Sequence, residues 1–192
     1  MTELERRIAM DLGATVLLAF ADNPLEGHSA RLESLTHPAR ILSYRRGRAA
    51  LANILQRLGR TEDPWSVSFP HPEFSISHTA ARAVAAAWPQ GKGIGVDLEA
   101  ADRHVSPGAM RLYLTQDELA RHSDAPEETR LRLWTVKEAL YKAHGHNAGL
   151  VLSSFSLDDP EAFCGTATSA GRSFRYGSWA SESGWLAMAL CL

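Results

Sequence analysis

The amino-acid sequence predicts an α+β fold made of two similar α+β halves in one chain, a pseudo-dimer. Two long segments, one opening at Pro38 and one after Pro126, have the apolar spacing of helices, and each ends at a glycine. Strand-like runs follow each of these helices. No low-complexity segment or long linker divides the chain. We therefore expect two halves related by a pseudo-twofold, at residues 1–92 and 93–192.

The first part of the chain is predicted to place one long helix before several short strands. Thr36 can cap this helix, Pro38 suits its first turn, and Gly59 suits its end. The strands predicted after it are Trp65–Phe69, Phe74–Ser77, Ala83–Trp88 and Ile94–Leu98. Segment 89–93, between the last two strands, contains a proline and two glycines, which predicts a hairpin or a tight loop.

The second part is predicted to begin with helices and to end in strands. Thr115 and Glu118 have the spacing of a capping box, which marks a helix start. A longer helix is predicted to open at Pro126 and to end at Gly145. The strands predicted in the tail are Leu150–Leu157, Ser173–Trp179 and Trp185–Cys191.

Composition narrows the class of protein. A formal net charge of -2 argues against a general nucleic-acid binder, which is normally basic. Cys164 and Cys191 are far apart and form no disulfide framework, so we expect a reducing, cytoplasmic location. The charged segment 2–7 is unlike a signal peptide. The first apolar run, 14–21, is about half of the roughly 20 residues that a spanning helix needs, so no membrane anchor is expected.

The segment 93–99, GIGVDLE, is the sharpest candidate for a functional site. In a strand, residues two apart share a face, so Asp97 and Glu99 point the same way while Val96 and Leu98 point into the core. A hard cation such as magnesium, held by a few carboxylates and by substrate phosphates, would relieve the repulsion between the two acids. The alternative is an exposed strand end with two solvated carboxylates.

The predicted helix after Pro126 carries a second candidate. Trp134, Glu138 and Lys142 stand at i, i+4 and i+8 and therefore form one stripe. Glu138 can bring a third carboxylate to the strand pair, and three acids beside a lysine suit a metal site that handles a pyrophosphate. The alternative is the ordinary stabilising ion pair of a surface helix.

Two further features could bind phosphate. His78, at the end of a predicted strand, could contact a phosphate with help from the hydroxyls of Ser77 or Thr79, although a structural histidine is an equally good interpretation. Guanidinium groups also suit phosphate, although most basic clusters are solvated faces. The cluster on the first long helix comprises Arg40, Arg45, Arg46 and Arg48.

Several common enzyme motifs are absent from the sequence. No Walker loop, GxGxxG, nucleophile elbow or HExxH pattern occurs. These absences exclude the usual nucleotide hydrolases, Rossmann oxidoreductases, esterases and zinc proteases.

The candidate segments occur in the order Ser77-His78, GVDLE at 95–99 and WTVKEALYK at 134–142. In this order they resemble the phosphopantetheinyl transferase superfamily, and the pairing of the last two is highly specific. Glu99 and the chain length are similar to the surfactin-synthetase-activator (Sfp) type, which folds as a pseudo-dimer in one chain. The resemblance spans roughly residues 37–155.

The resemblance implies a holo-carrier-protein synthase of secondary metabolism. Such an enzyme moves 4'-phosphopantetheine from coenzyme A to a serine of an apo acyl or peptidyl carrier protein and releases adenosine 3',5'-bisphosphate. Asp97, Glu99 and Glu138 would hold Mg²⁺, or Mn²⁺. Glu138 would also act as or position the base, Lys142 would stabilise the leaving phosphate, and Lys137 would lie beside the pyrophosphate. A monomer is expected, with no nucleic-acid or membrane partner.

The coenzyme contacts implied by the resemblance lie in the first part of the chain. His78 and Ser77 would contact the ribose phosphate together with basic residues of the first long helix, namely Arg40, Arg45 and Arg48. The sequence departs from the family in two places. Ser43 stands where relatives often have an arginine, and the segment 59–74 lacks the usual glycine-lysine-proline stretch. Two alternatives remain open: a non-catalytic protein that binds coenzyme A or a carrier, and a metal-dependent pyrophosphatase.

Overall fold

The structure is a computed structural model that describes residues 1–89, 91–145, 149–181 and 184–192. Its helices are α1 Glu3–Leu12, α2 Ala30–Glu33, α3 Pro38–Arg57, α4 Met110–Tyr113, α5 Gln116–His122 and α6 Glu127–His144. Its strands are β1 Leu17–Ala21, β2 Phe74–His78, β3 Ala83–Ala87, β4 Ile94–Ala100, β5 Ser156–Leu157, β6 Cys164–Ser169, β7 Arg172–Ser181 and β8 Gly184–Cys191. None of the described helices is long and apolar enough to cross a membrane.

Two antiparallel sheets organise these elements. One has three strands in the order β1-β3-β2, and α3 packs against it. The other has five strands in the order β4-β8-β7-β6-β5, and α6 packs on β4 and β8. The α+β class predicted from the sequence is confirmed. The pseudo-twofold and the division at residues 92 and 93 stay predictions.

The space between the two sheets is filled by side chains from both parts of the chain. One apolar cluster joins Ile8 of α1 and Val84 of β3 to Val96 of β4, Trp179 of β7 and Met188 of β8. Burial of these side chains removes apolar surface from water, which stabilises the contact between the sheets.

Several sequence-based predictions need correction. β3 and β4 belong to different sheets, so the hairpin predicted between them is wrong, and Gln90 in their connection lies outside the described residues. Residues 65–69 form a turn and coil instead of a strand, because the Arg48 guanidinium binds the carbonyl oxygens of Pro64 and Val67. The segment 150–157 contains a three-residue 3-10 turn, Leu152–Ser154, and only two strand residues, Ser156–Leu157, so the strand predicted over its whole length is wrong.

Two helix starts can be compared with their predictions. The Thr115 capping box is confirmed, with Oγ1 accepting from the Glu118 N–H and the Glu118 carboxylate accepting from the Thr115 N–H. Thr36 does not cap α3, because His37 occupies the cap position and forms no side-chain capping bond. Helix α1, strand β1 and strand β6 were not predicted from the sequence.

Helix α1 is fixed to the first sheet by one buried carboxylate. Glu5 is fully buried, and its oxygens accept hydrogen bonds from Arg57 Nη1 at 2.8 Å and from the N–H of Leu18 at 2.8 Å. The same carboxylate accepts from the N–H of Thr2 and so completes a capping box. Burial alone would raise the pKa of Glu5, but Arg57 and these backbone donors more than offset burial and lower the pKa to about 2.

We expect Glu5 to make the stability of the fold depend on acid pH. Because its folded pKa of about 2 lies below the usual value of 4.5, its stabilisation is complete above pH 4.5 and is lost as the pH falls toward 2. Glu5→Gln should flatten the pH profile of the free energy of unfolding by about 2–3 kcal/mol over this range. Urea unfolding between pH 2 and 6 measures the effect. Glu3→Gln, in the same helical turn, should keep the wild-type profile.

Candidate active site

Strand β4 lies against the backbone of α6 at two glycines. A Cβ atom added at Gly95 would lie 1.8 Å from the carbonyl oxygen of Ala139, and one at Gly93 would lie 2.2 Å from that of Ala143. Any side chain at these positions would therefore push the strand away from the helix. Residues at alternate positions share a face, so this contact directs Asp97 and Glu99 toward α6 as well.

Asp97 is buried at the centre of the site and its two oxygens differ. Oδ1 accepts a hydrogen bond from Lys142 Nζ at 2.7 Å and another from Ser77 Oγ at 2.9 Å. Lys142 Nζ also donates to the carbonyl oxygen of Val96 at 3.0 Å. Oδ2 is buried and receives no hydrogen bond from the described part of the chain. The carboxylate therefore presents one saturated and one free oxygen.

Glu99 contacts one donor on α6 and another in the segment after β4. Its Oε1 accepts from Trp134 Nε1 at 2.9 Å, and its Oε2 lies 3.4 Å from Arg103 Nε. The Arg103 guanidinium also lies over the Trp134 ring. Burial and then the charge of Asp97 raise the pKa of Glu99.

Glu138 brings the third carboxylate from α6. It is half-buried and lines a cleft beside Tyr141 and Lys142. Burial raises its pKa, and the charge of Asp97 raises it further, while Lys142 acts in the opposite direction. Glu138 makes no hydrogen bond or ion pair with any residue that the structure describes.

The three acids affect one another electrostatically without forming a closed metal cage. Over residues 1–89, 91–145, 149–181 and 184–192, no group of three His, Cys, Asp or Glu side chains forms a ready metal cluster. Yet Asp97 Oδ2 and the Glu138 carboxylate lack donors, while both Glu99 oxygens already contact donors. Magnesium usually takes only one or two protein carboxylates and completes its shell with water and phosphate. These residues fit such a partial site.

Two neighbouring cavities form one groove at this site. The cavity beside Glu138 and Lys142 has a volume of about 280 Å³, and the cavity beside Arg48 and His78 has a volume of about 220 Å³. Phe69 lines both. The groove therefore runs from Glu138 and Lys142 of α6 to Arg48 of α3 and His78 of β2.

Another cavity lies on the other face of β4 and is lined by Thr79 but by none of the predicted acids, lysines or arginines. Its volume is about 610 Å³. It is lined mainly by apolar side chains, among them Phe20, Leu98, Trp179 and Leu186. Because Leu98 points away from the face that carries Asp97, this cavity is separate from the groove that Glu138 and Lys142 line.

His78 stands at the exposed end of β2, in the smaller cavity of the groove. Partial desolvation of the ring lowers its pKa, and the positive charge of Lys142 lowers it further. The neighbouring Ser77 points elsewhere, because its hydroxyl already bonds to Asp97 and accepts from the N–H of Leu98 at 3.2 Å. His78 thus faces the groove, whereas Ser77 faces β4.

The predicted basic residues occupy different places. Arg48 is buried and lines the groove, but its guanidinium already binds backbone carbonyls and Tyr44 Oη. Arg45 lies 3.3 Å from the Glu26 carboxylate, and Arg40 is exposed at the start of α3. Arg46 donates to the carbonyl oxygens of Asp22 and Ala80 instead of pointing into the groove.

The structure does not bring Lys137 to the groove. Lys137 is fully buried, and its ammonium binds both oxygens of Glu118, at 2.6 and 2.9 Å, together with the carbonyl oxygen of Phe155. It therefore joins α6 to α5 and to the chain after α6. This placement contradicts the predicted contact of Lys137 with a pyrophosphate, and we leave it out of the site.

Sequence reasoning also missed three residues around the site, namely Arg103, Tyr44 and Phe69. Arg103 holds Glu99 and follows it by four positions, which is a signal that could have been noticed. Tyr44 and Phe69 flank Arg48, with ring centroids 4.9 and 5.5 Å from its guanidinium carbon. Phe69 was predicted to lie in a strand, and its sequence context gave no sign of this role.

Comparison with known proteins identifies the family. The family model of the 4'-phosphopantetheinyl transferase superfamily matches residues 93–189, from the glycines of β4 through α6 to β8. The chain belongs to this superfamily. It is also 28% identical over 118 residues to a 4'-phosphopantetheinyl transferase of Bacillus subtilis, a match that covers 59% of this chain and 50% of the relative. The chain thus spans about half the length of the curated relative it matches.

We expect Gly95→Ala to weaken the contact on which the site is built. The added methyl group would collide with the backbone of α6, and backbone atoms cannot move aside as a flexible side chain can. The free energy of unfolding should fall by about 1–3 kcal/mol or more. Gly108→Ala is the matched control, because its Cβ would meet nothing within 4 Å, and it should change stability by less than about 1 kcal/mol. Urea titration of both variants measures the difference.

Proposed function

We propose that the protein transfers the 4'-phosphopantetheine group of coenzyme A to a serine side chain of an apo carrier protein. The observation that carries the proposal is the position of Lys142, which lines the groove beside Glu138 and donates a hydrogen bond to the buried Asp97 carboxylate. Membership of the superfamily supports the reaction class. The similarity to a Bacillus subtilis 4'-phosphopantetheinyl transferase also supports it.

Asp97, through Oδ2, and Glu138 would hold the magnesium ion directly, and Glu99, whose oxygens contact Trp134 and Arg103, would add negative charge beside it. When bound, the ion would neutralise phosphate charge and polarise a phosphoryl oxygen. The raised pKa values of Glu99 and Glu138 reflect acids that are partly removed from water and repelled by Asp97. A nearby positive charge would favour their ionised forms.

The transfer forms one bond and breaks another. The carrier serine oxygen bonds to the β-phosphorus of coenzyme A, and the bond from that phosphorus to the bridging oxygen breaks, which releases adenosine 3',5'-bisphosphate. Glu138 accepts or directs the serine proton, since its carboxylate faces the groove without a hydrogen-bonded partner in the described structure. Lys142 lies beside Asp97 and supplies positive charge or a proton to the departing oxygen.

The groove would hold coenzyme A. Its two cavities would take the pyrophosphate beside Lys142 and the nucleoside end near His78 and Arg48. His78 would contact the ribose phosphate. Arg40 and Arg45 lie on the same helix as Arg48 and add positive charge to this end. The carrier would approach from the side of Glu138.

Mass spectrometry tests the proposal directly. The protein incubated with magnesium, coenzyme A and several apo carriers should add the mass of one phosphopantetheine arm to a carrier. Glu138→Gln should lower the rate by at least about 100-fold, since the proton acceptor and a metal ligand are lost. Glu128→Gln, an exposed acid of the same helix, should keep the wild-type rate.

Other outcomes of this experiment would contradict the proposal. Binding of coenzyme A without mass gain on any carrier would favour a non-catalytic binding protein. Release of adenosine 3',5'-bisphosphate without an acceptor would favour a pyrophosphatase. Equal rates for Glu138→Gln and wild type would remove Glu138 from the mechanism.

The role of His78 can be measured with a truncated substrate. His78→Ala should raise the KM for coenzyme A about tenfold, because one hydrogen bond to the ribose phosphate is lost. Dephospho-coenzyme A lacks that phosphate, so its KM should change by less than about twofold. His28→Ala removes an exposed histidine that pairs with Glu33 and lines neither cavity, and it serves as the control. An equal rise in KM for both substrates would place His78 elsewhere.

A further inference from the structure

Strands β2 and β4 lie side by side although they belong to different sheets. Where a paired strand would offer backbone carbonyl oxygens to the N–H groups of β4, two serine hydroxyls of β2 accept the hydrogen bonds instead. Ser75 Oγ accepts from the N–H of Val96 at 3.0 Å, and Ser77 Oγ accepts from the N–H of Leu98 at 3.2 Å. Both bonds are buried, so each hydroxyl satisfies a backbone donor that could not reach water.

The two serines differ in one respect that concerns the site. Ser77 Oγ also donates to Asp97 Oδ1 at 2.9 Å, whereas the bond described for Ser75 is to the backbone alone. A hydroxyl has a single hydrogen to donate. While that hydrogen is on Asp97, Ser77 cannot also donate to a phosphate, so its part in this structure differs from the coenzyme contact predicted from the sequence.

We propose that Ser77 is a positioning residue that orients the Asp97 carboxylate so that Oδ2 stays free for a divalent ion. This inference rests on the proposed function of the same site. Ser77 and Lys142 place two donors on Oδ1, and the N–H of Leu98 fixes the Ser77 oxygen in turn. Oδ2 is left buried with no donor from the described residues. A buried carboxylate oxygen of this kind is stabilised by a cation.

Loss of the Ser77 hydroxyl would release the carboxylate. The terminal torsion of an aspartate is broad and nearly two-fold, so donors must select its orientation. With Lys142 as the remaining donor, Asp97 could turn and share both oxygens with the ammonium. Asp97 Oδ2 would then accept a hydrogen bond from Lys142 for part of the time and would be less available to the ion. Partners that orient metal ligands typically change metal affinity or activity by about 10–100-fold.

The experiment compares Ser77→Ala with Ser75→Ala. Electron paramagnetic resonance titration with Mn²⁺, at saturating coenzyme A, gives the dissociation constant of the ion. Ser77→Ala should raise this constant about tenfold or more, and Ser75→Ala should raise it less than about threefold. Both variants lose one acceptor for a buried N–H, so their Tm values should fall by similar amounts. Thermal melts confirm that each variant is folded under the titration conditions.

Ser77→Thr keeps the hydroxyl and should hold the Mn²⁺ dissociation constant within about threefold of wild type. Equal weakening by Ser75→Ala and Ser77→Ala would overturn the inference, because the serines would then act only through the strand. The same conclusion follows if the wild type with coenzyme A binds no Mn²⁺. The comparison of the two alanine variants decides the question even where Ser77→Thr is poorly folded. Wild-type protein that binds Mn²⁺ but transfers nothing would refute the proposed function and leave the Ser77 result standing.

Discussion

The site depends on the direct contact between the backbones of β4 and α6. This contact requires glycine at 93 and 95, since a Cβ at either position would meet a helix carbonyl oxygen. Because the strand cannot withdraw from the helix, its next two alternate residues stand beside Glu138 and Lys142. The positions of the acids and of Lys142 relative to one another therefore depend on the absence of side chains at residues 93 and 95. The glycines and acids form one continuous stretch of sequence for this reason.

The second constraint is electrostatic. Glu99 and Glu138 are partly removed from water and lie near the charge of Asp97, and both effects raise the pKa of each glutamate. The structure offsets this cost unevenly. Asp97 is neutralised by Lys142, Glu99 is held by Trp134 and Arg103, and Glu138 is left with an unsatisfied carboxylate in the described structure. Such uneven support is typical of sites where a ligand completes the charge balance.

The sequence predicted secondary structure most successfully where the conformation depends on neighbouring residues alone. Helix α6, the Thr115 capping box and strand β4 were predicted because periodicity, capping and alternation each have a local cause. The acids of β4 and α6 could be paired because the motifs that carry them resemble one family. Lys137 shows the limit: Glu138, the next residue, lines the groove, but Lys137 itself faces Glu118, which only the packing of α5 determines. Residues 65–69 were misassigned because the distant Arg48 guanidinium, rather than local propensity, sets their conformation.

Helix α1 and the apolar cluster between the sheets limit how the chain can be divided. Asp11 accepts a hydrogen bond from Trp179 Nε1, and the carbonyl oxygen of Leu12 accepts one from Arg175. Helix α1 is therefore bonded to strand β7 in the second part of the chain. A fragment beginning at Gly93 would expose Val96 and the other apolar side chains that α1 and β3 now cover. Such a fragment would carry the acids of the groove yet tend to self-associate through that uncovered face. The region that carries the family motifs therefore depends on the rest of the chain, and fragment expression or domain grafting would have to include α1 and β3.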